Sequence, residues 1–343
     1  MPSLDEGPLP LATDTIALVT GASGFVGGRL ARRLAAAGRR VRALARSPLP
    51  DLERLGIETV RADIADTRAM VEACRGVGTV FHAAARVGVW GPRGEFERTN
   101  IGGAHAVVDA CRAHGVARLV FTSSPSVVFC DADLAGVDES QPRGTQFPAD
   151  YPRTKAEAER LILEANAPGG LATCALRPHL IWGVGDQNLI PRVIARARAG
   201  RLRIVGDGRN RVDLTHIENV VDAHVCAERA LADAGSAAAG RPYFITNDEP
   251  VVLWEWINDL LGRLGIAPVR RRISLPAARR LGAACEMLWR VLRLRGEPPM
   301  TRFVAAELAK EHWFRIDAAR RDLGYVPRVS MADGLDELVR TLR

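Results

Sequence analysis

Lysine is almost missing from this sequence. Of its 47 basic residues only Lys155 and Lys310 are lysine, and arginine supplies the rest. Together with abundant alanine, that bias points to a GC-rich genome rather than to a function. Cysteine pairing is missing too. The six cysteines, at 74, 111, 130, 174, 226 and 285, include no C-x-x-C pair. Their spacings suit neither a zinc site nor a disulfide framework, so reduced thiols and no metal are expected. No run of about 18 apolar residues exists to cross a membrane. The stretch 1–14 carries acids and prolines but no apolar core of a signal peptide. It is expected to be a flexible lead-in to a cytoplasmic protein. Acidic residues are in deficit, giving a net charge of +7. The arginines are scattered rather than massed in one stripe, so no nucleic-acid partner is expected.

What is present is enough for a large core. The chain has 343 residues, 47% of them hydrophobic and 25% charged, which excludes a disordered protein. Strand-like runs at 15–20, 40–45, 57–62, 79–83, 119–123 and 171–176 alternate with helical patterns at 25–37, 68–74, 101–114 and 151–166. Such alternation predicts an α/β fold, a doubly wound parallel sheet of Rossmann type. Its ligands bind at the carboxyl ends of the strands. Beyond Pro178 the pattern loosens, and helices dominate 253–295. The expected division is a cofactor domain over 15–180, with 212–246 returning to it. A smaller, mostly helical substrate lobe is expected from 181–211 and 247–343.

The first strand runs into Gly21-Ala-Ser23-Gly24-Phe25-Val26-Gly27 and then a helix. Glycine at this spacing gives a tight turn, close approach of backbone to a pyrophosphate, and close helix–strand packing. The helix N-terminus then faces the phosphates. At the end of the second strand, where an NAD site usually carries an acid, Ala45 is followed by Arg46. An arginine there suits a 2′-phosphate, so NADP(H) is favoured over NAD(H); the plainer reading is a solvated side chain. Asp63, after the third strand, reads equally as an adenine contact or as a helix cap. The set expected to line the cofactor adds Ile64, Ala83, Ala84, Pro178 and Ile181.

Tyr151-Pro-Arg-Thr-Lys155 opens a helical pattern, and residues at i and i+4 share a face. With three tyrosines and two lysines in the chain, chance gives this pairing about 2% of the time. A nearby ammonium is expected to lower the tyrosine pKa toward a useful range. Ser124, just past a strand, is expected to hold the reacting oxygen, with Ser123 and Ser126 as alternatives.

These residues together resemble the extended short-chain dehydrogenase/reductase superfamily. Leu176-Arg-Pro-His-Leu-Ile-Trp-Gly-Val-Gly-Asp186 and Asp213-Leu-Thr-His-Ile-Glu-Asn219 resemble segments of its 3β-hydroxysteroid dehydrogenase family, as do Gly296–Phe303, His312-Trp-Phe and Leu323-Gly-Tyr. Val184 departs from that pattern, which has proline there. The likeness covers essentially the whole chain. It implies a CH–OH oxidoreductase with Tyr151 as acid/base, assisted by Lys155 and Ser124. The implied substrate is a long-chain 2-alkyl-3-oxo acid, as in bacterial olefin formation, with a 4-carboxysterol as the rival. Arg86, Ser126 and His179 are the substrate-side candidates, and Arg153 is a further basic one. A nucleotide-sugar epimerase or dehydratase, or a non-catalytic NADP sensor, fits less well. A dehydratase usually adds an Asp-Glu pair beside the serine, and a sensor is expected to lose the Tyr/Lys pair. The resemblance also implies a homodimer. Leu281, Cys285, Leu288 and Leu292, flanked by arginines, are expected to form either a core-facing helix or one touching a membrane or partner enzyme.

Overall fold

The computed structural model describes residues 15–343; the 1–14 lead-in lies outside them. Seven strands form one parallel sheet: β1 (Ile16–Thr20), β2 (Val41–Ala45), β3 (Glu58–Arg61), β4 (Val77–His82), β5 (Arg118–Thr122), β6 (Ala172–Pro178) and β7 (Arg241–Ile245). Their order is β7-β6-β5-β4-β1-β2-β3, the doubly wound arrangement expected. Each inner strand is a short run of apolar residues, because both sheet faces are covered. In β1 all five residues are buried.

Two apolar clusters fill the two faces. One joins α1 (Phe25–Ala36) and α5 (Ile217–Ala230) to the sheet through Leu30, Leu34, Val221 and Ala227. The other joins α2 (Thr67–Ala73), α3 (Gly103–Ala113) and α4 (Asp150–Glu164) through Met70, Val107, Cys111 and Ile162. Arg39 and Glu228 are buried together and bonded at 3.0 and 3.1 Å, which ties the end of the α1 turn to α5. A third cluster, around Trp182, Trp254, Trp256 and Leu335, builds the C-terminal lobe.

That lobe is helical but also carries strands that the sequence reading does not contain. A four-stranded sheet brings Leu134–Val137 from the first half against His312–Phe314, Arg211–Val212 and Val251–Val252. These pieces are two to four residues long, too short for periodicity to reveal. Among the described residues no helix is long and apolar enough to cross a membrane.

Candidate active site

The glycine turn sits where β1 meets α1, pressed against the end of β4. Gly21 has φ +70°, and a Cβ there would stand 2.7 Å from the Ala84 backbone. Behind it, a Cβ on Gly27 would stand 2.4 Å from the Gly21 carbonyl oxygen. The Ala84 N–H donates to Thr20 Oγ1 at 3.2 Å, and that hydroxyl meets His82 Nδ1 at 2.9 Å. Burial pushes His82 down to about 3, so it stays neutral. α1 starts at Gly24 with no side-chain cap and no acid in its first turn. Its leading N–H groups, including those of Phe25 and Val26, therefore suit a diphosphate. Ser23 and Gly24 are exposed at this end. The donor set fits a dinucleotide.

At the far end of the same edge, Arg46 is exposed just past β2. Its carbonyl accepts from Arg61 Nε at 3.1 Å. The parallel register that sets Ala45 beside Arg61 thus gathers two guanidinium groups. Arg61 was missed from the sequence, although both arginines stand at strand ends. Asp63 does not cap a helix: Asp66 caps α2, accepting from the Ala69 N–H at 3.1 Å. Asp63 accepts from the Ala65 N–H at 3.0 Å and pairs with Arg98 at 2.8 Å. Burial pulls its carboxyl up, but these bonds outweigh it and hold it below the usual range. Ile64 is buried beside it, against Gly103.

The catalytic candidates converge where β5 ends and α4 begins. Tyr151, in the first turn of α4, stands close to Ser124; burial raises its pKa and the nearby Ser124 hydroxyl opposes the rise. Ser124 opens a one-turn helix at Pro125–Val128, accepting from the Ser126 N–H at 3.2 Å. The Ser126 hydroxyl lies 3.0 Å from Ser124 Oγ. Ser123 points elsewhere and donates to Glu159 at 2.6 Å. Glu159 is held in turn by Arg177 at 2.9 and 2.6 Å. Of the three serines, Ser124 faces Tyr151, Ser126 stands one bond behind, and Ser123 is turned into the core.

Lys155 is buried one turn along α4. Its Nζ donates to the Thr122 carbonyl at 2.5 Å and lies 3.9 Å from the centre of the Phe121 ring. Burial pushes its amine down to about 7, against the pull of Glu159. The expectation that this ammonium lowers the tyrosine pKa is corrected here. Tyr151 lies above its ordinary value because it is buried, and Ser124 is the group that offsets this.

Asn100, absent from the sequence reading, locks the surrounding loop. Its Oδ1 accepts from the Arg86 N–H at 2.7 Å, and its Nδ2 donates to Thr154 Oγ1 at 2.9 Å. It lies in a π-turn, Glu97–Gly102, a feature frequent at functional sites. The Arg86 guanidinium is engaged by Glu95 at 3.0 Å, and Arg153 by Glu97 and Asp150 at 2.9 Å.

His179 follows buried Pro178 at the end of β6, next to Ile181, which begins a short strand. Leu180 between them takes φ +39°, a strained conformation for a branched residue. His179 Nε2 meets His312 Nδ1 at 2.6 Å, and burial drives the His179 pKa well down. His312 Nε2 donates to the Glu307 carbonyl at 2.7 Å, so its Nδ1 accepts and His179 donates. The carboxyl of Glu307 completes a group within 4.8 Å. Two nitrogens on one zinc ion would stand about 3.3 Å apart. The pair is a hydrogen-bonded chain.

With this geometry in place, known proteins can be set beside the chain. The 3-beta hydroxysteroid dehydrogenase/isomerase family matches residues 18–277. A 2-alkyl-3-oxoalkanoate reductase of Stenotrophomonas maltophilia is 49% identical over 94% of this chain and 97% of its own. One from Shewanella oneidensis is 42% identical over 95% and 86%. A 3beta-hydroxysteroid-dehydrogenase/decarboxylase of Arabidopsis thaliana is 39% identical over 82% and 66%. Among solved structures, MoeE5 in complex with UDP-glucose and NAD superimposes with a TM-score of 0.73 at 26% identity, covering 95% of this chain and 99% of that one. The glycine turn, the Tyr151/Lys155 helix and these relatives place the chain in the 3-beta hydroxysteroid dehydrogenase/isomerase family, as an oxidoreductase of the extended short-chain dehydrogenase type.

Proposed function

We propose that this oxidoreductase reduces a long-chain 2-alkyl-3-oxo acid to the 3-hydroxy acid, using NADPH. The observation that carries the chemistry is the convergence of Tyr151, Ser124 and Lys155 where β5 ends and α4 begins. The substrate class follows the two bacterial relatives at 49% and 42% identity.

The nicotinamide, when bound, supplies the hydride to the carbonyl carbon. Tyr151 delivers a proton to the carbonyl oxygen. Its raised pKa keeps it protonated, as an acid requires at neutral pH. Ser124 donates a hydrogen bond to the same oxygen as negative charge develops there. Ser126, bonded to Ser124 Oγ, orients that hydroxyl. Lys155, whose amine burial pushes down to about 7, lies one turn from Tyr151 on α4 and would hold the nicotinamide ribose. Arg46 and Arg61 engage the 2′-phosphate, which distinguishes NADP from NAD.

The test is NADPH oxidation with a long-chain 2-alkyl-3-oxo acid, beside NAD-dependent oxidation of a 3β-hydroxy-4-carboxysterol. The expected result is turnover of the fatty acid alone. Tyr151→Phe is expected to lose about a thousandfold in kcat with the protein still folded. Turnover of the sterol alone, with NAD, would assign the substrate class of the Arabidopsis relative instead.

A further inference from the structure

Lys155 is not the only charge buried at the end of β5. Glu159 stands one turn further along α4 and is fully buried, and Arg177 on β6 is 2% exposed. The Arg177 guanidinium holds the Glu159 carboxylate with two hydrogen bonds, Nε at 2.9 Å and Nη2 at 2.6 Å. That is the fork geometry of a strong ion pair. Its third nitrogen, Nη1, is buried with no partner among the described residues. The guanidinium lies over the Phe244 ring at 5.1 Å, as Lys155 Nζ lies over Phe121 at 3.9 Å. One buried anion is thus shared between two buried cations.

Three consecutive residues distribute the contacts. The Thr122 carbonyl accepts from Lys155, the Ser123 hydroxyl donates to Glu159 at 2.6 Å, and Ser124 faces Tyr151. The Ser123 N–H donates to the Leu176 carbonyl at 2.6 Å, one residue before Arg177. The strand end that presents Ser124 therefore also seats both charges of α4.

Stability does not explain a pair placed here. Apolar residues often replace a buried ion pair with no loss of stability, so its place beside Lys155 asks for another cause. The groups facing Lys155 narrow that cause. His82 on β4 stacks on Phe121 and is held neutral by burial, at about 3. His224 on α5 donates from Nδ1 to the Val220 carbonyl and accepts from the Thr122 hydroxyl, both at 2.7 Å; burial pushes it down to about 4. Tyr151 is raised and stays a phenol. Arg177 carries the same sign as Lys155. Among the described residues facing Lys155, Glu159 is the one of opposite sign.

We propose that Glu159 is a positioning residue for Lys155, the counter-charge that keeps this buried amine an ammonium. An ammonium has three protons. One serves the Thr122 carbonyl, and two remain for the hydroxyls of a ribose; a neutral amine would keep one. Burial drives Lys155 toward neutrality and Glu159 opposes it. The use of those protons rests on the role proposed for Lys155. The charge relation between Glu159 and Lys155 does not, and it is measurable without substrate or cofactor.

The experiment is a titration by NMR. The chain holds only two lysines, Lys155 and Lys310, so 13C-labelled lysine gives two side-chain signals, and Lys310→Arg assigns them. The Lys155 signal is followed in the full chain from about pH 5 to about pH 10. The parent is expected to titrate near 7. Glu159→Gln keeps the shape but removes the charge, so the Lys155 midpoint is expected to fall by about one unit. Glu159→Asp keeps the charge and is expected to restore most of the parent value. The sign separates charge from structure. A loosened core would admit water and move the midpoint up, toward the value of an exposed lysine, about 10.4. Glu159→Gln strands the Arg177 charge, so Glu159→Gln with Arg177→Met serves if the single variant does not fold. Its midpoint is also expected below the parent, because the carboxylate is one turn from Lys155 and the guanidinium lies beyond it. A midpoint unchanged or raised in either variant, or lowered equally by Glu159→Asp, would overturn the proposal and leave the pair a packing element.

Discussion

A hydroxyl can assist a reaction only when its proton and lone pairs are not already engaged elsewhere. The three serines after β5 differ on that ground alone. Ser123 gives its proton to buried Glu159, within a network that includes Arg177. Ser124 meets Tyr151 and is steadied by Ser126. Ser124→Ala should therefore lower kcat about a hundredfold with little change in KM, the signature of a group that binds charge as it develops. Ser123→Ala should keep kcat and lose about 2 kcal/mol of stability, the scale of a hydrogen bond to a charged group. Steady-state kinetics and urea melts on the two variants separate these outcomes; equal loss of kcat in both would remove the assignment. The sequence named all three hydroxyls. It put Ser124 first and left the other two open, because the choice depends on where a strand ends and the next turn begins. Asn100 was illegible for a different reason: its partners are 14 and 54 residues away.

At the scale of elements, the parallel sheet was legible because its inner strands are short apolar runs between amphipathic helices. The small sheet was not, since its strands come from four distant stretches and carry mixed residues. What joins its parts is a buried carboxyl. The Asp213 N–H donates to the His312 carbonyl at 3.1 Å, and Asp213 Oδ2 accepts from the Phe314 N–H at 2.6 Å. Oδ1 is buried with no partner among the described residues. Burial pushes this carboxyl up to about 7, with the Phe314 bond opposing. The folded chain therefore keeps a proton that the unfolded chain releases near pH 4. Between about pH 4 and about pH 7 the native state binds more protons, so stability falls as pH rises; above that window the loss levels off. Asp213→Asn removes this dependence. The stability of the variant relative to the parent should grow through that window and then stay constant. Urea melts across the range measure it, and parallel curves for the two proteins would contradict the assigned titration.

For the whole molecule, a nicotinamide cofactor that spans the glycine turn and the β2–β3 edge, as proposed above, should be a lever on stability. A ligand that binds only the native state adds about 2.7 kcal/mol at a hundred times its Kd. In a chain of this size that raises Tm by about 4 °C. Two exposed guanidinium groups at one strand edge, with the Asp63 carboxyl already committed to Arg98, would offer a cationic place to a 2′-phosphate under the cofactor reading proposed above. At equal concentration NADP+ should raise Tm more than NAD+ does. Arg46→Ala should cancel the difference, and Arg61→Ala should narrow it, while the smaller NAD+ shift stays in both. The arms are independent of substrate, so they test the cofactor reading by itself. A larger shift with NAD+, indifferent to both substitutions, would make Arg46 a solvated surface residue.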